Sequence, residues 1–359
     1  MLFSDRDQRL RRHRHRLSDI ACLAGLFVLA ACGDAGQTPV EPIIPKPDLC
    51  AATPGVGVRA TAGAVVLSWA VLPQSTDACI TLRLDSLYAM RAPSIASGGK
   101  LFVFLPGTDA IAQNYQLSVS PAARAGYHAI GLSYPNQNQV SGLCAGMAAT
   151  CSGDTRREIL TGASLSSVVT VDRANSIENR LIKLLRFMAV TDPGGNWGQF
   201  VSSDSAIAWD RISIAGHSQG GGHALFIAQQ YSVARATAYS SPGDLLSGTG
   251  SAAPWMTQPF ATPTSRLFGL TSTADELVPA ATVLSIWATL GMSGAAVNID
   301  VNAPPYTASQ RFVTSITPIN PGIVVGPNHN VVAVDVNTPR VTGTLDPVLA
   351  PVWRALSFP

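Results

Sequence analysis

The chain has 359 residues, 47% of them hydrophobic and only 13% charged, with 24 Lys+Arg against 22 Asp+Glu. So apolar a composition excludes wholesale disorder, and 31 Gly with 25 Pro exclude a coiled coil and predict many turns between short elements. The formal charge of +2 conceals a skew: residues 1–31 hold six Arg and three Asp, and the 18 basic and 19 acidic side chains that follow give no electrostatic footprint for nucleic acid.

Residues 6–16 carry six Arg and two His, and residues 20–31 form an apolar run. Twelve residues are too few to span a bilayer as a helix, which needs about 20. A basic stretch, a short apolar core and small residues at its end read as a secretory signal peptide over 1–31. The run closes on Leu29-Ala30-Ala31-Cys32, which resembles the lipobox of bacterial lipoproteins. That resemblance implies a lipid on Cys32, a membrane partner through that lipid, and, with Gly33 in the next place, attachment to the outer membrane. An ordinary signal peptide with a chance cysteine is the other reading. Residues 33–49 hold four Pro and no apolar period, so 32–49 is expected to be an extended tether. Cys50, Cys79, Cys144 and Cys151 then remain, and four cysteines allow three pairings. An oxidising compartment favours the two local bridges, Cys50 with Cys79 and Cys144 with Cys151, whereas the lack of any CxxC spacing disfavours zinc.

From about residue 61, apolar runs of strand length alternate with segments of helical period, the pattern of a mostly parallel sheet flanked by helices. Strands are predicted at 64–69, 80–87, 101–105, 128–133, 211–215, 234–239, 266–270 and 311–316, and helices at 176–190, 219–231, 281–290 and 346–356. One domain over 50–359 is the simpler reading, with 50–95 as a small β-rich extension.

Chemistry concentrates in residues 211–223, RISIAGHSQGGGH. An apolar strand runs into Gly216-His217-Ser218-Gln219-Gly220, which fits G-x-S-x-G, and a helical segment follows. A nucleophilic serine must project from a strained turn, and glycines two places before and after it leave room where a Cβ would collide. Its hydroxyl also needs a base, held in one tautomer by a carboxylate. His217 and His223 flank Ser218 too closely to face it, and His128 lies in a predicted strand; His329, in GPNHNVV after the last strand, is the candidate base. The candidate acid is Asp275 in TSTADELVP, with Glu276 and Asp244 as rivals. Oxyanion donors are expected at the backbone N–H of Gln219 and in the loop Leu105-Pro106-Gly107-Thr108-Asp109, at Thr108 in preference to Gly107.

Through PGT, GHSQG, TADELVP and PNHN in that order, about residues 98–357 resemble the α/β-hydrolase superfamily of serine hydrolases. The resemblance implies an α/β-hydrolase fold and acyl transfer from a small-molecule or polymeric ester to water through a Ser218 acyl-enzyme, with no metal or organic cofactor. Only 26 residues (240–265) separate two of the predicted strands, so no large cap domain is expected there. Residues 135–171, carrying Cys144 and Cys151, would form a stapled rim, and Trp255 and Phe260 are candidate contacts for an apolar acyl group. A peptidase or other acyl-transfer enzyme on the same fold is the second reading and a silent surface-binding lipoprotein the third. Three intact candidates on separate loops argue against the last.

Overall fold

A computed structural model describes residues 50–359 apart from 54–56, 63–64, 97, 204–205 and 323. The assignments of residues 1–49, including the signal peptide, the lipid site at Cys32 and the tether, lie outside the described residues.

Among the described residues, ten strands join in one sheet: β1 (Val58–Ala62), β2 (Leu67–Val71), β3 (Leu87–Arg91), β4 (Leu101–Leu105), β5 (His128–Gly131), β6 (Ile212–His217), β7 (Arg235–Tyr239), β8 (Leu267–Ser272), β9 (Val297–Asn298) and β10 (Arg311–Thr314). Their spatial order is β1-β2-β3-β5-β4-β6-β7-β8-β10-β9. From β5 to β9 every pairing is parallel, while β1, β2 and β3 pair antiparallel at one edge. Strands β1, β2 and β3 are thus the antiparallel margin of the central sheet, and the β-rich part expected within 50–95 continues that sheet.

Among the described residues, six helices of eight residues or more accompany the sheet: α1 (Gln116–Arg124), α2 (Cys151–Thr161), α3 (Ile177–Thr191), α4 (Gln219–Gln230), α5 (Ala280–Thr289) and α6 (Ala350–Ser357). Strand β4 shows how they divide. All five of its residues are buried, and because side chains alternate across a strand they serve two cores. Leu101, Val103 and Leu105 pack in the cluster that holds the apolar stripes of α3, α4 and α5, and Phe102 and Phe104 in the one that holds those of α1 and α6. Helix α3 begins where the Ser176 hydroxyl accepts the Asn179 N–H at 3.2 Å, and it buries Ile177, Leu181, Leu184, Leu185 and Met188.

The strand predicted at 80–87 is not one. Ile80 is buried, but the backbone of Thr81 and Leu82 donates to the Asn175 side chain at 3.0 and 2.8 Å, and the Arg180 guanidinium bonds the carbonyls of Leu82 and Arg83. Side chains more than 90 residues away take the hydrogen bonds a sheet partner would have supplied, and pairing begins only at Leu87. Helices α1 and α2 were not foreseen. Both expected disulfides, Cys50–Cys79 and Cys144–Cys151, are present. No large cap stands between β7 and β8, where residues 240–266 form only short turns.

Candidate active site

Parallel strands align their carboxyl ends along one edge of a sheet, and the loops beyond that edge gather there whatever their separation in sequence. Gly107 and Thr108 follow β4, Ser218 follows β6, Asp275 follows β8 and His329 follows β10.

Ser218 stands between β6 and α4 at φ 52° and ψ −121°, a conformation in which an L-residue is strained. The turn is held by Ser218 N–H donating to the Tyr239 carbonyl at 2.8 Å and by the Gly222 N–H donating to the Ser218 carbonyl at 3.1 Å. A Cβ on Gly216 would strike the backbone of Gly220, and one on Gly220 would strike the carbonyl of Leu105, so both glycines of the pentapeptide are required by close approach.

His329 lies in the single turn Pro327–Asn330, and its Nδ1 is 2.9 and 2.8 Å from the two oxygens of Asp275. A carboxylate accepts, so Nδ1 carries the proton and Nε2 is left as the basic nitrogen. Nε2 is buried and has no protein partner among the described residues. The Asp275 Oδ1 also accepts the N–H groups of Leu277 and Val278 at 3.0 and 2.9 Å. Burial alone would raise the Asp275 pKa, but the hydrogen bond and charge of His329 and the Val278 N–H outweigh it and hold the carboxyl below its usual range. Ser218 and His329 line one cleft of about 570 Å³, whose apolar wall includes Leu277, Val278, Val325 and Val334.

The two rival acids have other partners. Glu276 accepts from the backbone N–H groups of Asn328 and His329 at 3.1 and 3.0 Å, fixing the turn rather than the imidazole. Asp244 is buried, paired twice with Arg156 at 2.6 Å and bonded by the Trp255 indole N–H at 3.0 Å. Trp255 packs edge-on against Phe226 and Phe260 packs against the core, and neither lines either of the spaces bordered by Ser218, so neither is placed to contact an acyl group.

A second network, not foreseen, starts at His217. Its Nε2 lies 3.0 Å from the carbonyl oxygen of His329, which can only accept, so Nε2 carries the proton and Nδ1 accepts. The Tyr115 hydroxyl, 3.1 Å from that Nδ1, must then donate to it, while its oxygen accepts the Gly107 N–H at 3.0 Å. Burial, aided by the charge of His329, pushes the His217 pKa down to about 3, and the ring stays neutral. Since the Gly107 N–H is already engaged, the next one, of Thr108, is the free donor of that loop, and the Thr108 hydroxyl reaches the Gln219 side-chain oxygen at 2.9 Å. Nothing in the sequence around Tyr115 marks it for this place.

No family model matches the chain, and no curated protein matches it.

Proposed function

We propose that the chain is a serine hydrolase with the α/β-hydrolase fold that cleaves carboxylic esters. The observation that carries this reading is the buried Asp275–His329 pair, whose Nε2 is unpartnered among the described residues and whose histidine lines the same cleft as a serine strained between strand and helix. In this reading Nε2 of His329 takes the Ser218 proton as Oγ bonds the carbonyl carbon, and the N–H groups of Gln219 and Thr108 receive the oxyanion. Collapse breaks the carbon–oxygen bond to the alcohol, which leaves with the proton from His329. Water then repeats the sequence on the acyl-enzyme, giving the acid and restoring Ser218, so that ester and water become acid and alcohol.

Asp275 acts here by fixing the tautomer and balancing the imidazolium, and its depressed pKa suits a group that stays ionised. A fluorophosphonate should label Ser218 in the wild type and not in Ser218→Ala, and a peptide panel run beside the ester panel separates esterase from peptidase. Export and anchoring through Cys32 belong to the same proposal; the two disulfides support an oxidising compartment, and a labelled fatty acid should appear in the expressed protein but not in Cys32→Ala.

A further inference from the structure

Two spaces of very different size meet over Ser218. One is the 570 Å³ cleft lined by Gly107, Thr108, His217 and His329. The other is a slot of about 20 Å³, lined by Ser218, Val140, Arg156, Ser241, Asp244 and Val278, and none of Gly107, Thr108, His217 and His329 borders it. The cleft has room for a substantial molecule, whereas the slot has room for about one group of water or methyl size.

The chemistry decides which half of an ester goes where. The tetrahedral carbon carries the Ser218 oxygen, the oxyanion, the leaving oxygen and the acyl substituent. The leaving oxygen must take its proton from Nε2 of His329, which places the alcohol in the cleft that His329 lines. The oxyanion points to the N–H groups of Thr108 and Gln219. The fourth direction, left for the acyl substituent, is the flank of Ser218 without His329, where the slot lies.

The slot is walled by groups that cannot readily yield. Arg156 and Asp244 pair twice at 2.6 Å with their side chains 2% and 1% exposed, and Arg156 Nη1 also donates to the Gln219 carbonyl at 3.2 Å. The Trp287 indole N–H holds the Ser241 carbonyl at 2.8 Å. Widening the slot would separate a buried ion pair, leaving an uncompensated charge. Its lining is also partly polar: Gln219 Nε2 and Ser241 Oγ are buried without protein partners among the described residues, and an alkyl chain laid on them would keep them unsatisfied.

We propose that this enzyme takes esters of a short acyl group, of acetyl size, with a bulky alcohol, the slot selecting the acyl half and the cleft receiving the alcohol. The inference rests on the serine-hydrolase reading.

The test is kcat/KM for p-nitrophenyl acetate, butyrate and octanoate, with wild type, Ser218→Ala and Val140→Ala, followed by ethyl against cyclohexyl acetate. Acetate should exceed butyrate by about tenfold or more, the usual scale for a misfitting methylene or two in a tight pocket, with octanoate lower still. Cyclohexyl acetate should be turned over at least as well as ethyl acetate. Val140→Ala should raise the butyrate-to-acetate ratio, which is taken within one preparation and so does not depend on how much of the variant is folded. Serine-dependent turnover that holds level or rises from acetate to octanoate, or a ratio unmoved by Val140→Ala, would overturn the short-acyl inference and leave the hydrolase reading standing. An absence of serine-dependent turnover for every ester would overturn both.

Discussion

The Tyr115 hydroxyl and Nδ1 of His217 lie 3.1 Å apart, and through that contact the loop after β4, the turn between β6 and α4 and the turn carrying His329 become one hydrogen-bonded unit. Each link has a fixed direction: Gly107 N–H to Tyr115, Tyr115 O–H to His217, and His217 Nε2–H to the His329 carbonyl. Phe104 packs against the Tyr115 ring at 4.9 Å between centroids, so the hydroxyl is presented from a packed core.

Tyr115→Phe keeps the ring and removes the link. Two buried groups, the Gly107 N–H and Nδ1 of His217, lose their partner, which should cost about 1–3 kcal/mol of stability. With the loop of Thr108 less well fixed, kcat should fall about tenfold while KM changes little, because the loss is felt where charge develops rather than where substrate binds. Thermal melts and steady-state kinetics on one preparation check both; unchanged kcat with lowered stability would assign Tyr115 to the fold alone.

Asp275 and Asp244 should separate cleanly when each is changed to Asn. Asp275→Asn is expected to lower kcat by about 10²- to 10⁴-fold through loss of tautomer control, with the fold retained. Asp244→Asn leaves the buried Arg156 charge without its counter-ion and should cost about 3–5 kcal/mol of stability. The reverse pattern, a stable Asp244→Asn with turnover lost and an active Asp275→Asn, would exchange the roles.

His223 in α4 is buried, edge-on to Tyr134 at 5.2 Å, with neither ring nitrogen paired among the described residues. Burial, with the nearby Arg156 charge, holds its pKa well below 6.5. The unfolded chain therefore takes up a proton near pH 6.5 that the folded chain refuses, so the stability tied to a neutral His223 is present above about pH 6.5 and falls as pH drops below it, by about 1.4 kcal/mol per unit. His217 acts in the same sense until pH nears 3, where its folded form also protonates. His223→Leu removes the first contribution, so the melting temperature of the variant minus that of wild type should rise from pH 8 to pH 5. A difference constant with pH would contradict this origin.

How much of this was legible in the sequence depends on where each residue's partners lie. The 101–105 strand, the turn around Ser218 and helices α3 and α4 are declared locally, by apolar runs, a 3.6-residue period and paired glycines, and they formed within one or two residues of expectation. Asp275 and His329 are legible as candidates because each stands in a turn-rich stretch after a strand. Helix α2 is hidden in the sequence because two of its charged residues, Arg156 and Glu158, are buried and break the polar–apolar pattern; Glu158 accepts the backbone N–H groups of Leu165, Ser166 and Val171. Helix α1 carries Pro121 in its interior, and its buried stripe is made of small residues, Ser118, Val119, Ala122 and Ala123. Tyr115 is silent in sequence because its role is defined by His217, 102 positions away, and by the direction of a carbonyl at His329.

The most direct test of the account is hydrolysis of p-nitrophenyl acetate by the chain from Cys50 onward, wild type against Ser218→Ala. Turnover should fall by more than about 10⁴-fold in the variant, since removing the nucleophile disables the whole triad, while circular dichroism shows the same fold. Equal rates from the two proteins would contradict the assignment of Ser218 and with it the mechanism.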